Sequence, residues 1–344
     1  MASELVLVTG GSGHLGHRVL VDALKAGYRV RAAVRSQAKA DKILATLSLK
    51  NFKSLGRLSF AIVPDMIADG AYDDAVAGTS YIIHVASPIA HTYKEGDDLE
   101  AQFIQPAVKG TMNILLAARK TESVKRIVLT SSIVAIVSWK DFVSGSSSTV
   151  FNEKSRTPFL PGPYDGVFEA YSAGKVKALN DTEAWVSREN PQFDIVHIFP
   201  AFILGQDELV TDVENIIDGT NAKVLTAVTG GQDGPTPSAS IHLEHVSLAH
   251  VRALDQRILG NQGLILSSGG LHGTVWETQL DIVAQEFGAE VQRGTLPNNG
   301  TISTLPIKID ETKSEEILRM KFRTFEEQVK NFVGHYLELK LASA

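Results

Sequence analysis

Leu5-Val6-Leu7-Val8-Thr9-Gly10-Gly11-Ser12-Gly13-His14-Leu15-Gly16 is the stretch whose reading decides the fold. A β-branched apolar run enters a turn with Gly10, Gly13 and Gly16 spaced by three, and the residues after Gly16 are helix-compatible. One glycine lets the chain turn tightly, one lets backbone approach a pyrophosphate, and one lets helix pack closely on strand. The start of the helix then turns unpaired N–H groups toward the phosphates. The spacing is G-x-x-G-x-x-G rather than G-x-G-x-x-G. The plain alternative is an ordinary glycine-rich strand–helix turn, but a strand before it and a helix after it favour nucleotide binding.

Working outward, Leu5–Thr9, Arg29–Val34, Leu58–Val63, Tyr81–Val85, Arg126–Ser131 and Asp194–Phe199 read as strands. They are continuous apolar runs, as expected when helices cover both faces of a sheet. His17–Ala26, Ala38–Leu49, Asp97–Lys120 and Glu169–Arg188 read as the intervening helices. Strand, crossover helix, strand, repeated, predicts an α/β fold with a Rossmann-type doubly wound parallel sheet. Residues 141–166, with Gly145 and three prolines, predict a long loop, and loops of that length in compact domains are usually functional. After Pro200 the alternation weakens; Gly230–Pro237 is turn-rich, His242–Ile258 reads as helix and Gly263–Ser267 as a strand. Phe325–Leu339 carries a 3.6-residue apolar stripe expected of a docked terminal helix. The expected organisation is a dinucleotide-binding core over 1–200 with a returning segment at about 242–268. A smaller substrate lobe would comprise 201–241 and 269–344.

Composition narrows the classes. Apolar residues make up 44% and charged residues 21% of 344, an ordinary globular balance. A formal net charge of −6 with no long basic run leaves a nucleic-acid partner without an electrostatic footprint. With no cysteine, disulfides, thiolate nucleophiles and Cys-based metal sites are excluded. No basic n-region precedes the first strand, and no apolar run reaches the ~20 residues that cross a bilayer. The expectation is a cytoplasmic protein, monomer or homodimer, with no membrane partner.

The end of the second strand bears on which nucleotide is bound. A site for NAD wants a carboxylate there for the ribose 2′-OH, whereas this chain has Arg35, followed by Ser36 and Lys39. A guanidinium can pair with a 2′-phosphate through two hydrogen bonds, so the expected cofactor is NADP(H). Further on, Arg126–Ser132 ends in Thr130, Ser131 and Ser132 at the strand edge where ligands sit in open α/β sheets. Tyr171 and Lys175 lie four apart on one helix face. A phenol of pKa near ~10 exchanges protons poorly at neutral pH, and a neighbouring ammonium is expected to lower that pKa. A serine hydroxyl can bond a substrate oxygen as charge develops on it. Together these suggest hydride movement between a nicotinamide and a carbonyl.

In these residues the chain resembles an extended short-chain dehydrogenase/reductase, of the branch holding dihydroflavonol reductases, cinnamoyl-CoA reductases and fungal aldehyde/ketone reductases. The resemblance rests on Val8–Gly16, Val30–Ser36, Asp65-Met66, His84–Pro88, Val124–Ser132, Tyr171–Lys175 and the strand ending in Pro200. It implies Ser132, Tyr171 and Lys175 as the catalytic residues, with Ser131 the competitor of Ser132. It further implies Gly10, Ser12, Gly13, His14, Leu15 and Gly16 around the pyrophosphate, and Asp65 and Met66 at adenine. Val85, Ala86 and Ser87 would stand on the ribose side with Thr130, and Pro200, Phe202 and Ile203 at the nicotinamide. Lys175 would also hold the nicotinamide ribose. Three positions depart from the pattern. His14 replaces a common apolar or aromatic residue; with His17 it lacks a carboxylate to complete a metal site, so no metal is expected. His245 stands where an aspartate is usual, which puts in doubt the hydrogen bonds tying down its helix. No asparagine stands near Ala107, so a proton path from Lys175 to solvent would use water or backbone.

Ile89, His91, Trp139, Tyr164, Phe168 and Phe202 are the expected lining of a substrate pocket suited to a small hydrophobic ketone or aldehyde. Each aromatic could equally fill core. The expected activity is NADPH-dependent carbonyl reduction. A nucleotide-sugar epimerase or dehydratase retaining its cofactor, and a non-catalytic NADP(H) sensor, are the alternatives on the same fold.

Overall fold

The structure, a computed structural model, describes residues 4–50, 52, 56–87, 96–217 and 219–343. In chain order its first half runs β1 (Leu5–Thr9), α1 (His14–Lys25), β2 (Arg29–Val34), α2 (Gln37–Leu44), β3 (Leu58–Ile62), α3 (Asp73–Val76), β4 (Tyr81–His84), α4 (Gln105–Arg119) and β5 (Arg126–Thr130). Next come α5 (Trp139–Ser144), β6 (Val150–Phe151), α6 (Val167–Glu189), β7 (Asp194–Pro200), β8 (Phe202–Leu204), α7 (Ala222–Val228), β9 (Gln232–Pro237), β10 (Ser240–His242) and α8 (Leu243–Arg252). The chain closes with β11 (Gln262–Leu266), α9 (Thr278–Glu286), α10 (Gly288–Gln292), β12 (Thr301–Leu305), β13 (Lys308–Ile309), α11 (Thr312–Leu318) and α12 (Phe325–Ala342).

Seven strands form one sheet in the order β11-β7-β5-β4-β1-β2-β3. From β3 to β7 every neighbouring pair runs parallel. This is the doubly wound α/β sheet that the sequence predicts. Val6, Leu7 and Val8 of β1 expose none of their surface, because β1 is central and covered on both faces. Strand order reverses between β1 and β4, and the crevice outside the carboxyl ends at such a point is where open α/β sheets bind ligands.

Two compact units divide the chain. The first comprises Met1–Val137, Lys154–Phe199 and Ser247–Leu264; the second comprises Ser138–Glu153, Pro200–Val246 and Ile265–Ala344. The segment 138–153 therefore leaves the first unit, although its position in the chain suggests the core. Its own pairing explains why: β6 lies parallel to β13, and Lys313 bonds Glu153 at 2.8 Å. Leu7, Ile82, Ile114, Ile127 and Trp185 belong to the first unit's core, and Trp276, Val283, Phe332 and Val333 to the second's.

Three local departures from the sequence reading have physical causes. The helix expected over Asp97–Lys120 opens as a π-helical segment, Glu100–Ile104, before α4. Pro106 sits at the start of α4; it has no N–H to donate and its ring crowds the carbonyl four residues earlier, so the local winding widens. Gln232–Pro237, expected as turns, is instead a strand paired, among the described residues, with β12 alone, an edge position that tolerates proline. The loop over 141–166 contains most of α5, which ends at Gly145 in the left-handed region (φ 59°), as well as β6.

Candidate active site

The glycine turn separates what the protein needs from what a ligand needs. Gly10 has φ +72°, and a Cβ on it would stand 2.8 Å from the amide nitrogen of Ala86. A Cβ on Gly16 would overlap the carbonyl oxygen of Gly10. Both glycines are therefore demanded by the packing of β1, α1 and the end of β4. Gly13 is different: a Cβ there meets nothing closer than Gly10 O at 3.6 Å, and its backbone is extended (φ −112°, ψ 168°). Gly13 is also the N-cap of α1, no side chain caps it, and no acidic residue occupies the first turn. An exposed, positively polarised helix end without a Cβ is a cradle that fits a pyrophosphate. Ser12, His14 and Leu15 flank it, the last with its side chain buried.

Arg35 follows β2 directly and is exposed, as are Ser36 and Lys39. Neither cation forms an ion pair among the described residues, so both charges are available to an anion at this edge. Asp65 is exposed and its carboxylate accepts the Ile67 N–H at 2.9 Å. Met66 is fixed more firmly: its methyl lies where a side chain on Gly110 would go, and Asn113 donates to the carbonyls of Met66 and Ala68 at 2.9 Å. The N–H groups of Val85 and Ala86 both donate to the Thr9 hydroxyl at 3.1 Å, and Ser87 follows them. Thus Gly10–Gly16, Arg35–Lys39, Val85–Ser87 and Thr130 gather at the carboxyl edge of one sheet. Pro200, Phe202 and Ile203 belong to the second unit, where β8 pairs with β10 and the Phe202 ring meets Trp276 edge-on at 5.8 Å.

The proton-handling residues come from β5 and α6. Ser132 is buried, and its hydroxyl forms a hydrogen bond with Tyr171. Ser131 instead donates its N–H to Ile198 O at 2.8 Å, and no bond joins its side chain to Tyr171. Lys175 is buried, donates to the Thr130 carbonyl at 3.1 Å, and places its ammonium 5.8 Å from the centre of the Tyr171 ring. The sequence reading expects the ammonium to pull the phenol pKa down. Burial wins instead: it pushes Tyr171 up to about 12, against a smaller downward pull from the Ser132 bond. Burial also brings Lys175 down to about 8. The outcome is a phenol that holds its proton at neutral pH beside a lysine that can gain or lose one.

Of the expected lining, Tyr164 packs in the same apolar cluster as Tyr171, and Phe168 stacks on Tyr171 with ring centres 5.9 Å apart. Trp139 stacks on Phe142 within the second unit at 6.3 Å. Ile89 and His91 lie outside the described residues. His245, where an aspartate is usual, still forms a tie of its own: its Nδ1 accepts the Arg323 N–H at 3.0 Å. His17 is buried and bonds Thr46 at 3.1 Å; among the described residues no three His, Asp or Glu side chains gather as a metal site.

Sequence reasoning missed a layer of buried imidazoles behind Lys175. His84 ends β4, His197 lies on β7, and His250 on α8 bonds the Thr130 hydroxyl at 2.7 Å. The available signal was His84 closing an otherwise apolar strand, with Thr9 at the matching end of its neighbour.

The 3-beta hydroxysteroid dehydrogenase/isomerase family profile matches residues 7–257. Ketoreductase CTB6 of Cercospora nicotianae is 38% identical over 345 residues, covering 98% of this chain and 96% of its own. NAD-dependent epimerase/dehydratase ALT6 of Alternaria alternata is 36% identical, covering 95% and 96%. Yeast methylglyoxal/isovaleraldehyde reductase Gre2, solved with NADPH, superposes with a TM-score of 0.80 at 24% identity, covering 98% of this chain and 99% of its own.

Proposed function

We propose a carbonyl reductase, starting from the premise that the chain belongs to the extended short-chain dehydrogenases/reductases, in the 3-beta hydroxysteroid dehydrogenase/isomerase family. One observation carries the reading: the half-buried phenol of Tyr171, bonded to Ser132 and flanked by the Lys175 ammonium at the carboxyl edge of β5.

The expected cofactor is NADP(H). Gly10 to Gly16 would hold its pyrophosphate, Arg35 with Ser36 and Lys39 its 2′-phosphate, and Lys175 its nicotinamide ribose. When bound, the dinucleotide supplies the hydride. The remaining chemistry falls to this chain's own side chains. The Ser132 hydroxyl holds the substrate carbonyl oxygen beside Tyr171. As negative charge grows on that oxygen, Tyr171 delivers its proton and the product leaves as an alcohol. A phenol raised to about 12 stays charged with its proton until an alkoxide, a far stronger base, asks for it. The Lys175 ammonium beside the ring then stabilises the phenolate. Tyr164 and Phe168 offer apolar surface next to Tyr171, suited to a small hydrophobic ketone or aldehyde. The names of CTB6 and Gre2 support carbonyl reduction, and the NADPH in the Gre2 structure supports the cofactor.

ALT6 favours a second reading by its name, an epimerase or dehydratase that keeps its cofactor between turnovers. Cofactor that washes out on dilution would count against it. A dinucleotide sensor has no need of the Tyr171–Lys175 arrangement. The test is NADPH consumption by purified protein against a panel of ketones, aldehydes and diketones. Wild type should turn over and Tyr171→Phe should lose roughly 100-fold or more in kcat while still binding NADPH. Equal rates in the two proteins would overturn the proposal.

A further inference from the structure

The hydroxyl of Thr9 fixes the protonation of a buried histidine. That hydroxyl accepts hydrogen bonds from two backbone groups, Val85 N–H and Ala86 N–H, each at 3.1 Å. A threonine oxygen has two acceptor positions and one proton, so the proton is left for its third partner, His84 Nδ1 at 2.9 Å. Nδ1 must therefore be bare, and the neutral imidazole carries its hydrogen on Nε2. His84 is 4% exposed, and burial next to the Lys175 charge holds it neutral, its pKa brought down to about 3. Nε2 is buried and has no hydrogen-bond partner among the described residues. A buried N–H left unpaired bears the full penalty of its lost hydration, so a partner is expected.

A cavity lies within reach. His84, Thr111, Thr130, Lys175, Thr182 and His197 are among its walls, and it has about 20 Å³ of room for a water-sized sphere. One water needs roughly 10–15 Å³ and two or more polar partners. We propose that His84 is a positioning residue: its Nε2–H anchors one water in this cavity, and that water returns a proton to Lys175 after each turnover. The inference rests on the carbonyl-reductase reading. Tyr171 gives its proton to the product and regains one at the expense of the Lys175 ammonium. The resulting amine takes a proton through the anchored water, whose oxygen receives one from solvent in the same movement while His84 N–H holds it in place, so the net change is one proton taken up from solvent. No electrons move in this sequence. His84 itself never becomes charged, which suits an imidazole held as neutral as this one. His197 shares the cavity wall, and burial keeps it neutral as well, at about 4; His250 is engaged with Thr130. Tyr72 packs its ring edge-on to His84 at 6.0 Å and holds its proton, so Lys175 is the charged group among those named.

Three measurements test this. Long-range ¹⁵N–¹H NMR of the imidazole should show His84 protonated on Nε2; protonation on Nδ1 would overturn the inference. A high-resolution crystal structure should show a water bonded to both His84 Nε2 and Lys175 Nζ, and its absence would do the same. In steady-state kinetics, His84→Phe should lower kcat about 10-fold or more and raise the solvent isotope effect on kcat, with KM for NADPH unchanged. His84→Gln, which restores an N–H donor at a similar reach, should recover most of the rate. Equal losses in both variants, or a change in KM alone, would reduce His84 to a packing residue. Should wild type turn over nothing, the carbonyl-reductase reading fails, yet the NMR and crystallographic arms still decide whether the water is held.

Discussion

Gly13→Ala against Gly16→Ala separates a glycine kept for a ligand from one kept for the fold. At Gly13 the backbone is extended and a Cβ meets nothing nearer than 3.6 Å, so alanine fits without strain. Alanine is a poorer N-cap than glycine, while the less flexible unfolded chain favours it, and these effects of about 0.5–1 kcal/mol oppose one another. The stability of Gly13→Ala should therefore lie within about 0.5 kcal/mol of wild type. The added methyl instead occupies the open end of α1, where phosphate oxygens would receive backbone N–H groups. Hydrogen bonds to charged groups contribute about 1.5–3 kcal/mol each. Losing one such bond weakens NADPH binding roughly 10- to 100-fold, since about 1.4 kcal/mol is a factor of ten. At Gly16 the methyl overlaps a backbone carbonyl, that of Gly10, which cannot rotate away. Strain of this kind costs about 3 kcal/mol or more, and Gly16→Ala should unfold early whether or not NADPH is present. Urea denaturation gives the stabilities and quenching of intrinsic fluorescence gives the NADPH Kd. Gly13→Ala binding NADPH as tightly as wild type, or melting like Gly16→Ala, would refute the assignment of α1 as the pyrophosphate cradle.

Arg35→Glu replaces an unpaired guanidinium with a carboxylate and should weaken NADPH roughly 100-fold relative to NADH, as expected from losing a bidentate phosphate pair; an unchanged NADPH/NADH preference in paired titrations would remove the 2′-phosphate role. His84 and His197 stay neutral in the fold at about 3 and about 4, whereas unfolded histidines take protons below their ordinary 6.5. Between pH 6.5 and about 4 the unfolded chain thus binds up to two more protons through these sites, so stability falls as pH falls, by up to roughly 3 kcal/mol per pH unit. Denaturant midpoints at pH 7 and pH 5 measure this, and His197→Phe, which keeps a ring stacked on Phe199, should flatten the slope; equal slopes in the two proteins would show that His197 does not set it.

Much of this protein was legible in its sequence because the signals are local. β-branched runs, glycine spacing and the four-residue separation of Tyr171 and Lys175 each act within one strand, one turn or one helix. β1 and β2 match their expected bounds to the residue. Arg35 is recognisable because its place relative to the strand end is a matter of counting. The stretch Gly230–Pro237, expected as turns, departs from the sequence reading for the opposite reason. Whether a proline-bearing segment can pair as a strand depends on a partner distant in the chain, here β12.

The sequence by itself determined the alternation of strand and helix, the turn that can cradle a phosphate, and the identity of the phenol, the ammonium and the adjacent hydroxyls. Tertiary structure decided what those groups are. It set Ser132 rather than Ser131 against Tyr171, and it took the phenol far enough out of water that desolvation outweighs the pull of the Ser132 hydroxyl and favours the proton on oxygen. It also brought Thr9 and His84, 75 residues apart, into one register so that a single hydroxyl proton fixes a tautomer. Protonation depends on burial and on partners, and both exist only once distant strands have been laid side by side.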